Sequence, residues 1–431
     1  MSTQLERIAQ KARAERKLRF TALAHHLTPE FFRETWRLMN RRSASGIDGE
    51  TAREFERDLD RRIPELVARL KAGKYQAPPV RRVEIPKPGS NKRRPLGIPT
   101  AEDRLLQRAV ARILEAIYEA DFLDVSYGYR PGRNPHQALR RLREHALKGR
   151  VNYVLKADIH GFFDHLNHAW LMKMLRLRIG DSVILRLIEK WLRAGAMVNG
   201  VIVRTEEGVF QGGPISPVLA NIYLHYVLDL WFERVFARQC QGQARLVRFA
   251  DDYVTCFQYR GDAERFGATL KERVGKFHLT IADGKTQLMV FGRFADERAT
   301  HRGERPGRFD FLGFTHVGGR DRQGRFAVIR IPSMRSCRRF LMRVKVWLRN
   351  YLHAKRLDQQ KHLSVMLRGF YEYFSLAHSQ PKLKWVRHEV ELQWLRALRH
   401  RGQRARLRWD ILQNSPWFAL PPVPRTIHAT V

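Results

Sequence analysis

The sequence predicts an α+β fold, with a sheet-rich middle between helical ends. Three observations carry this expectation. Apolar residues recur at helical spacing in 101–120 (Leu105, Leu106, Ala109, Ile113, Ile117) and again from Ser333 onward (Phe340, Val344, Trp347, Tyr351). Short runs rich in β-branched and aromatic residues, Val151–Asp158 and Leu246–Phe257, lie between those helices. Hydrophobic residues make up 44% of 431 residues, enough to bury cores in two or three domains.

Residues 1–75 read as helices with basic faces, interrupted by the turn Ser45-Gly46-Ile47-Asp48-Gly49. Pro78-Pro79 ends that pattern, and 80–99 reads as two short strands joined by the loop Lys87–Lys92. Val151–Asp158 is a strand ending in a carboxylate, His168–Leu192 a helix, and Met197–Val209 a hairpin turning near Glu206-Glu207-Gly208. Pro217–Val235 reads as one long amphipathic helix. The strands LVRF and YVTCF flank Ala250-Asp251-Asp252, which puts two carboxylates at a hairpin tip. In the C-terminal helix Arg335, Arg339 and Arg343 form a basic stripe beside the apolar one, where Trp347 and Tyr351 are expected to face the core.

Charge narrows the function. Lys and Arg number 80 against 43 Asp and Glu, a net +37. Such an excess opposes compaction and calls for a polyanionic partner, for which nucleic acid is the usual candidate. Residues 301–431 hold 27 basic and 8 acidic residues, so 27 − 8 = +19 of that charge lies in the C-terminal region. No apolar run reaches membrane-span length, and the charged N-terminus lacks a signal core. Cys240, Cys256 and Cys337 have no zinc spacing and cannot all pair, which fits a reducing cytoplasm.

Adjacent Asp residues repel unless a cation compensates them, and oxygen-only ligands suit Mg²⁺ better than zinc. Phosphoryl transfer with two metals needs such carboxylates, and Asp158 is the candidate third, 93 residues before Asp251. Asp-Asp alone is most often an exposed turn; it is the ordered set of motifs that gives it weight. His160, His165 and His168 cluster nearby but lack a fourth ligand at suitable spacing, so packed or surface histidines are the better reading.

That ordered set resembles the bacterial group II intron reverse transcriptases of the maturase type. The matching blocks are SGIDGET (45–51), RVEIPKPGSNKRRPLGIPTAEDRLLQRAV (82–110), SYGYRPGRNPHQAL (126–139), KADIHGFFDHLNH (156–168), QGGPISPVLANIYLH (211–225), RFADDYV (248–254) and FDFLGF (309–314). The resemblance implies a right-hand polymerase fold, with an N-terminal extension and fingers in 1–150, a palm in 151–328 and a helical thumb, domain X, in 329–431. It implies RNA-directed DNA synthesis and, through domain X, binding of intron RNA to assist splicing and retrohoming.

By position it assigns Asp158, Asp251 and Asp252 to catalysis. The same three residues, with Ile159, would hold two Mg²⁺ ions, for which Mn²⁺ can substitute. Lys87, Arg94, Phe163, Gln211 and Gly212 would bind the nucleotide, and Arg335, Arg339 and Arg343 the RNA. Phe163 would exclude a 2′-hydroxyl, with Phe162 as the competing gate, and Asn221 would help to shape the pocket. Implied partners are an RNA template, a DNA or RNA primer and deoxynucleoside triphosphates, with no membrane; monomer and homodimer both fit.

The chain departs from the family pattern at Phe249, where Tyr is usual, and at Val209-Phe210, where Thr-Pro is common. Neither change touches a carboxylate. No DNA-binding segment or His-Asn-His endonuclease is recognised, so priming from a nascent strand or another free 3′ end is expected. A domesticated relative acting in phage defence or DNA repair is the alternative reading. A decayed, RNA-binding splicing factor and a viral-type RNA polymerase fit less well.

Overall fold

The computed structural model describes residues 3–86, 93–198, 200–203, 206–295, 297, 301, 307–321, 323–401, 409 and 415–428. It is α+β: helical ends enclose three small sheets. The central sheet is built from β3 (Tyr153–Ala157), β6 (Ala244–Phe249), β7 (Asp252–Phe257) and β8 (Gln287–Val290), in the order β6-β7-β3-β8, and all its pairings are antiparallel.

Strand periodicity divides this sheet between two cores. Tyr153, Leu155, Leu246, Tyr253 and Phe257 face one core, shared with the N-terminal helices and with Ala101–Tyr118. Val154, Val247, Val254 and Cys256 face the other, shared with helices Met334–Asn350, Arg356–Phe374 and Gln380–Arg399. Both faces are covered, which is why these strands read as nearly continuous apolar runs.

A second sheet, β2-β1-β4-β5, contains β1 (Val80–Pro86), β2 (Arg93–Ile98), β4 (Ala196–Val198) and β5 (Val201–Val203). A third contains β9 (Arg308–Phe311), β10 (Phe314–Arg320) and β11 (Phe326–Pro332). Among the described residues no helix is long and apolar enough to cross a membrane.

Four sequence readings need correction. The hairpin expected to turn near Glu206-Glu207-Gly208 turns earlier, with Val198 paired to Val201 and Gly200 at φ +84°. Asn199-Gly200 is itself a tight-turn signal. The helix expected over His168–Leu192 is two, His168–Leu175 and Ser182–Arg193; Asp181 caps the second by accepting from the Val183 and Ile184 amides. The long helix is regularly α-helical over Ser216–Leu224, then widens into π-turns at His225–Asp229 and Phe232–Phe236. Tyr351 is 53% exposed, because the helix ends at Asn350, whereas Trp347 packs face to face on His362 with ring centroids 4.0 Å apart.

Candidate active site

Register unites the three carboxylates. In the β3–β7 pairing Ala157 stands opposite Tyr253, so the next step places Asp158 opposite Asp252. In the β6–β7 hairpin Phe249 pairs with Asp252, which leaves Ala250 and Asp251 as the turn. Ala250 adopts φ +56°, a left-handed conformation uncommon outside glycine. All three carboxylates are half-buried.

Their electrostatics match a cation site. Burial raises the Asp251 carboxyl above the usual Asp range, and the charge of Asp158 adds to this. Asp252 is also raised, first by its crowded surroundings; Lys156 opposes this, while Asp251 and Asp158 add to it. Lys156 Nζ lies 3.2 Å from Asp252 Oδ1, and Lys285 pairs with Asp158 Oδ2. With these lysines engaging the carboxylates, no three His, Cys, Asp or Glu side chains among the described residues stand in metal-ligating geometry. The donors are nonetheless all oxygen, the chemistry a hard divalent cation takes. Ile159 is buried, and its backbone bridges to Ile281.

A cavity of about 260 Å³ opens beside Asp251. Its wall includes Arg94, Phe163, Gln211 and Gly212, four of the five residues singled out for nucleotide binding. The fifth, Lys87, lies outside the described residues. Strand alternation on β2 points Arg94 and Leu96 together into the cavity. Gly97 behind them docks the next loop, its amide donating to the Gln211 carbonyl at 2.8 Å. Gly212, at φ +121°, passes so close to the Gly97 carbonyl that a Cβ would stand 2.6 Å from it, so the second residue of Gln-Gly-Gly must be glycine.

The two candidate gates are distinct. Phe162 is 2% exposed and packs edge-on against Tyr223 in the core. Phe163 lines the cavity, held by its carbonyl accepting from the Val209 amide at 2.7 Å. Asn221, expected to shape the pocket, lies buried behind it rather than in its wall.

Sequence reasoning did not single out Tyr129, Leu96, Ser216 or Pro217, all of which line the cavity. Tyr129 is raised above the usual phenol range by burial and then by Asp251, and its ring lies 6.4 Å from that of Phe249. It sits within the SYGYRPGR block, which was its available signal. Lys285 had none.

Two other clefts, of about 680 and 1260 Å³, touch none of the three carboxylates. Arg335, Arg339 and Arg343 lie exposed along one helix, away from the cavity wall. His168 hydrogen-bonds the Gly208 carbonyl at 2.7 Å, a packing role.

The chain is similar in sequence to known proteins. The sequence profile of the family described as reverse transcriptase (RNA-dependent DNA polymerase) matches residues 85–316. The chain is 40% identical over 234 residues to the group II intron-encoded protein LtrA of Lactococcus lactis subsp. cremoris, covering 52% of this chain and 38% of that protein. It is 36% identical over 256 residues to protein YkfC of Escherichia coli (strain K12), covering 58% of this chain and 66% of that one. A shorter match, 35% over 95 residues, reaches the mitochondrial nuclear intron maturase 1 of Arabidopsis thaliana, covering 22% of this chain and 13% of that protein. The chain thus spans between about two fifths and two thirds of the length of the first two relatives. With a profile match over more than half its length, the chain belongs to the reverse transcriptase (RNA-dependent DNA polymerase) family.

Proposed function

We propose that this chain is an RNA-directed DNA polymerase of the group II intron type, which copies RNA into DNA and binds intron RNA to assist splicing and retrohoming. One observation carries the reading: Arg94, Phe163, Gln211 and Gly212 share a cavity with Asp251, while strand register sets Asp158 opposite Asp252. In this reading 1–150 form the N-terminal extension and fingers, 151–328 the palm and 329–431 the thumb and domain X. The setting is the bacterial cytoplasm.

Asp158, Asp251 and Asp252, with the Ile159 carbonyl, would hold two Mg²⁺ ions, which lower the barrier by neutralising charge on the transferring phosphoryl group. The chain's own residues do the rest. Arg94, with a planar fork of donors, grips the triphosphate, and Lys87 adds a point charge. Phe163 presents a flat apolar wall that leaves no room for a ribose 2′-hydroxyl. Gln211 and Gly212 line the same pocket. The primer 3′-oxygen then bonds to the α-phosphorus, pyrophosphate departs, and the hydroxyl proton passes to solvent. The exposed Arg335, Arg339 and Arg343 track RNA phosphates.

The test is primer extension on an RNA template with Mg²⁺ and deoxynucleotides, comparing wild type with Asp251→Ala/Asp252→Ala. Extension by wild type alone is the expected result. DNA synthesis by the double variant would overturn the assignment of the site, and inactivity of both would leave RNA binding as the function.

A further inference from the structure

Behind the cavity, a buried polar tether connects two of its walls. Asn221, 1% exposed, sits on helix Ser216–Leu224. Its Nδ2 donates to the Gly128 carbonyl at 2.7 Å, and its Oδ1 accepts from Arg248 Nη1 at 3.0 Å. The same Nη1 donates to the Ala250 carbonyl at 2.9 Å. Gly128 and Ala250 immediately precede Tyr129 and Asp251, two residues that line the cavity from different loops.

Both loops need holding. Tyr129 and Ala250 each adopt φ +56°, and non-glycine residues stay in that region only where their surroundings enforce it. The loops also touch: a Cβ at Gly128 would collide with the Ala250 amide, so only glycine permits the approach. Backbone pairing continues the connection, with the Tyr127 amide donating to the Arg248 carbonyl at 2.9 Å and the Arg248 amide to the Val125 carbonyl at 2.7 Å.

The anchor is Asp229. It and Arg248 are wholly buried, joined by a two-pronged pair, Nε to Oδ1 at 2.7 Å and Nη2 to Oδ2 at 2.5 Å. Asp229 lies in the π-turn that continues the helix carrying Asn221. A buried ion pair is weak evidence for net stability, but it does fix one geometry. Here it leaves one guanidinium nitrogen free to hold both Asn221 and the catalytic turn.

We propose that Asn221 is a positioning residue. Through Arg248 and Asp229 it holds the Tyr129 wall of the nucleotide pocket in register with the Asp251 carboxylate. None of the three lines the cavity, so they act through the backbone they hold. The inference rests on the reverse transcriptase reading above, and wild-type primer extension tests that reading separately.

The experiment is steady-state single-nucleotide incorporation on an RNA template, varying deoxynucleotide and Mg²⁺, with folding followed by thermal unfolding. Asn221→Ala frees the Gly128 loop from its tie and takes away one of the two acceptors that fix Arg248 Nη1 against the Ala250 turn. Its KM for deoxynucleotide and its Mg²⁺ half-saturation should both rise, and kcat should fall roughly tenfold or more, since small misplacements at a reacting centre cost that much. Asn221→Asp keeps the acceptor for Arg248 and loses the donor to Gly128, so KM should rise while Mg²⁺ half-saturation stays near wild type. A merely structural role would lower the unfolding temperature and leave both constants unchanged. Folded Asn221→Ala protein with wild-type KM and Mg²⁺ dependence overturns the proposal. If that variant does not fold, Arg248→Met/Asp229→Leu decides, because it removes the pair without stranding a charge. Raised Mg²⁺ half-saturation in the double variant supports the tether, and unchanged dependence refutes it.

Discussion

Asp103 offers a quantitative check on the N-terminal region. It lies in the first turn of helix Ala101–Tyr118, capped by Thr100, and is 2% exposed. Tyr75 Oη and Trp191 Nε1 both donate to its Oδ1, the latter at 2.8 Å, and Gln107 Nε2 lies 2.9 Å from Oδ2. Burial outweighs these donors and raises the carboxyl from 3.8 to about 6. The folded state therefore binds this proton more tightly than the unfolded chain. The stabilisation is fully present below pH 3.8 and is lost as pH rises through about 6. At 1.36 kcal/mol per pH unit, that interval is worth ~3 kcal/mol.

Asp103→Asn should erase this dependence with little loss of packing. The replacing amide keeps an oxygen for Tyr75 and Trp191. Gln107 Oε1, which lacks a partner, can turn to accept from the new NH₂. Urea unfolding followed by tryptophan fluorescence between pH 4 and 8 reads the effect, with Trp191 as a local reporter. His145 and His225, both lowered to about 4 by burial, contribute a slope of opposite sign, which cancels in the difference between the two proteins. Wild type should lose ~3 kcal/mol relative to the variant across this range. Parallel pH profiles would show that Asp103 is ionised in the fold and refute the argument.

Three further outcomes are expected. Phe163→Val should cut discrimination against ribonucleotides by roughly 10- to 100-fold in competitive incorporation, the range a reshaped apolar pocket commands; an unchanged ratio would remove Phe163 as the gate. Trp394→Ala deletes a fully buried ring stacked on Phe418 at 4.6 Å and should cost about 3–5 kcal/mol, read as a lower urea midpoint. Replacing the exposed Arg335, Arg339 and Arg343 together by Ala should weaken RNA binding uniformly across sequences and reduce the salt slope by roughly 2. An unchanged slope would exclude the stripe from the RNA contact.

The parts of the fold legible in the sequence were those that local pattern dictates. β3, β6 and β7 were visible because burial on both faces makes them short apolar runs, and Ala101–Tyr118 because its periodicity is sustained for 18 residues. The π-turns at His225–Asp229 and Phe232–Phe236 were not visible. Widening a helix by one residue per turn barely disturbs apolar spacing, and the buried Asp229–Arg248 pair that accompanies the first turn joins residues 19 apart. Resemblance supplied the carboxylates and four residues of the cavity wall, but it could not supply Tyr129 as a wall residue or Lys285 as the partner of Asp158. Both depend on which loops the fold brings together.

Lys156 and Lys285 follow from the same constraint as the carboxylates. Three acidic groups near one turn repel, and burial raises Asp251 and Asp252 further, so assembling them costs energy that the folded chain must offset. Strand alternation sets Lys156 two residues before Asp158 on the same sheet face, within reach of Asp252 across the β3–β7 pairing. Lys285 reaches Asp158 from the turn before β8, the strand beside β3, where the Ala282 amide also donates to the Asp158 carbonyl at 2.8 Å. The two ammonium groups therefore balance much of the charge that a divalent cation would balance on binding. Lys285, with its side chain 70% exposed, is the freer of the two, whereas Lys156 also donates to the Asp310 carbonyl. The contrast with Arg248, locked at zero exposure behind the same turn, separates two electrostatic tasks: the buried pair is bonded to the backbone of the turn, and the two lysines reduce the repulsion among the carboxylates themselves.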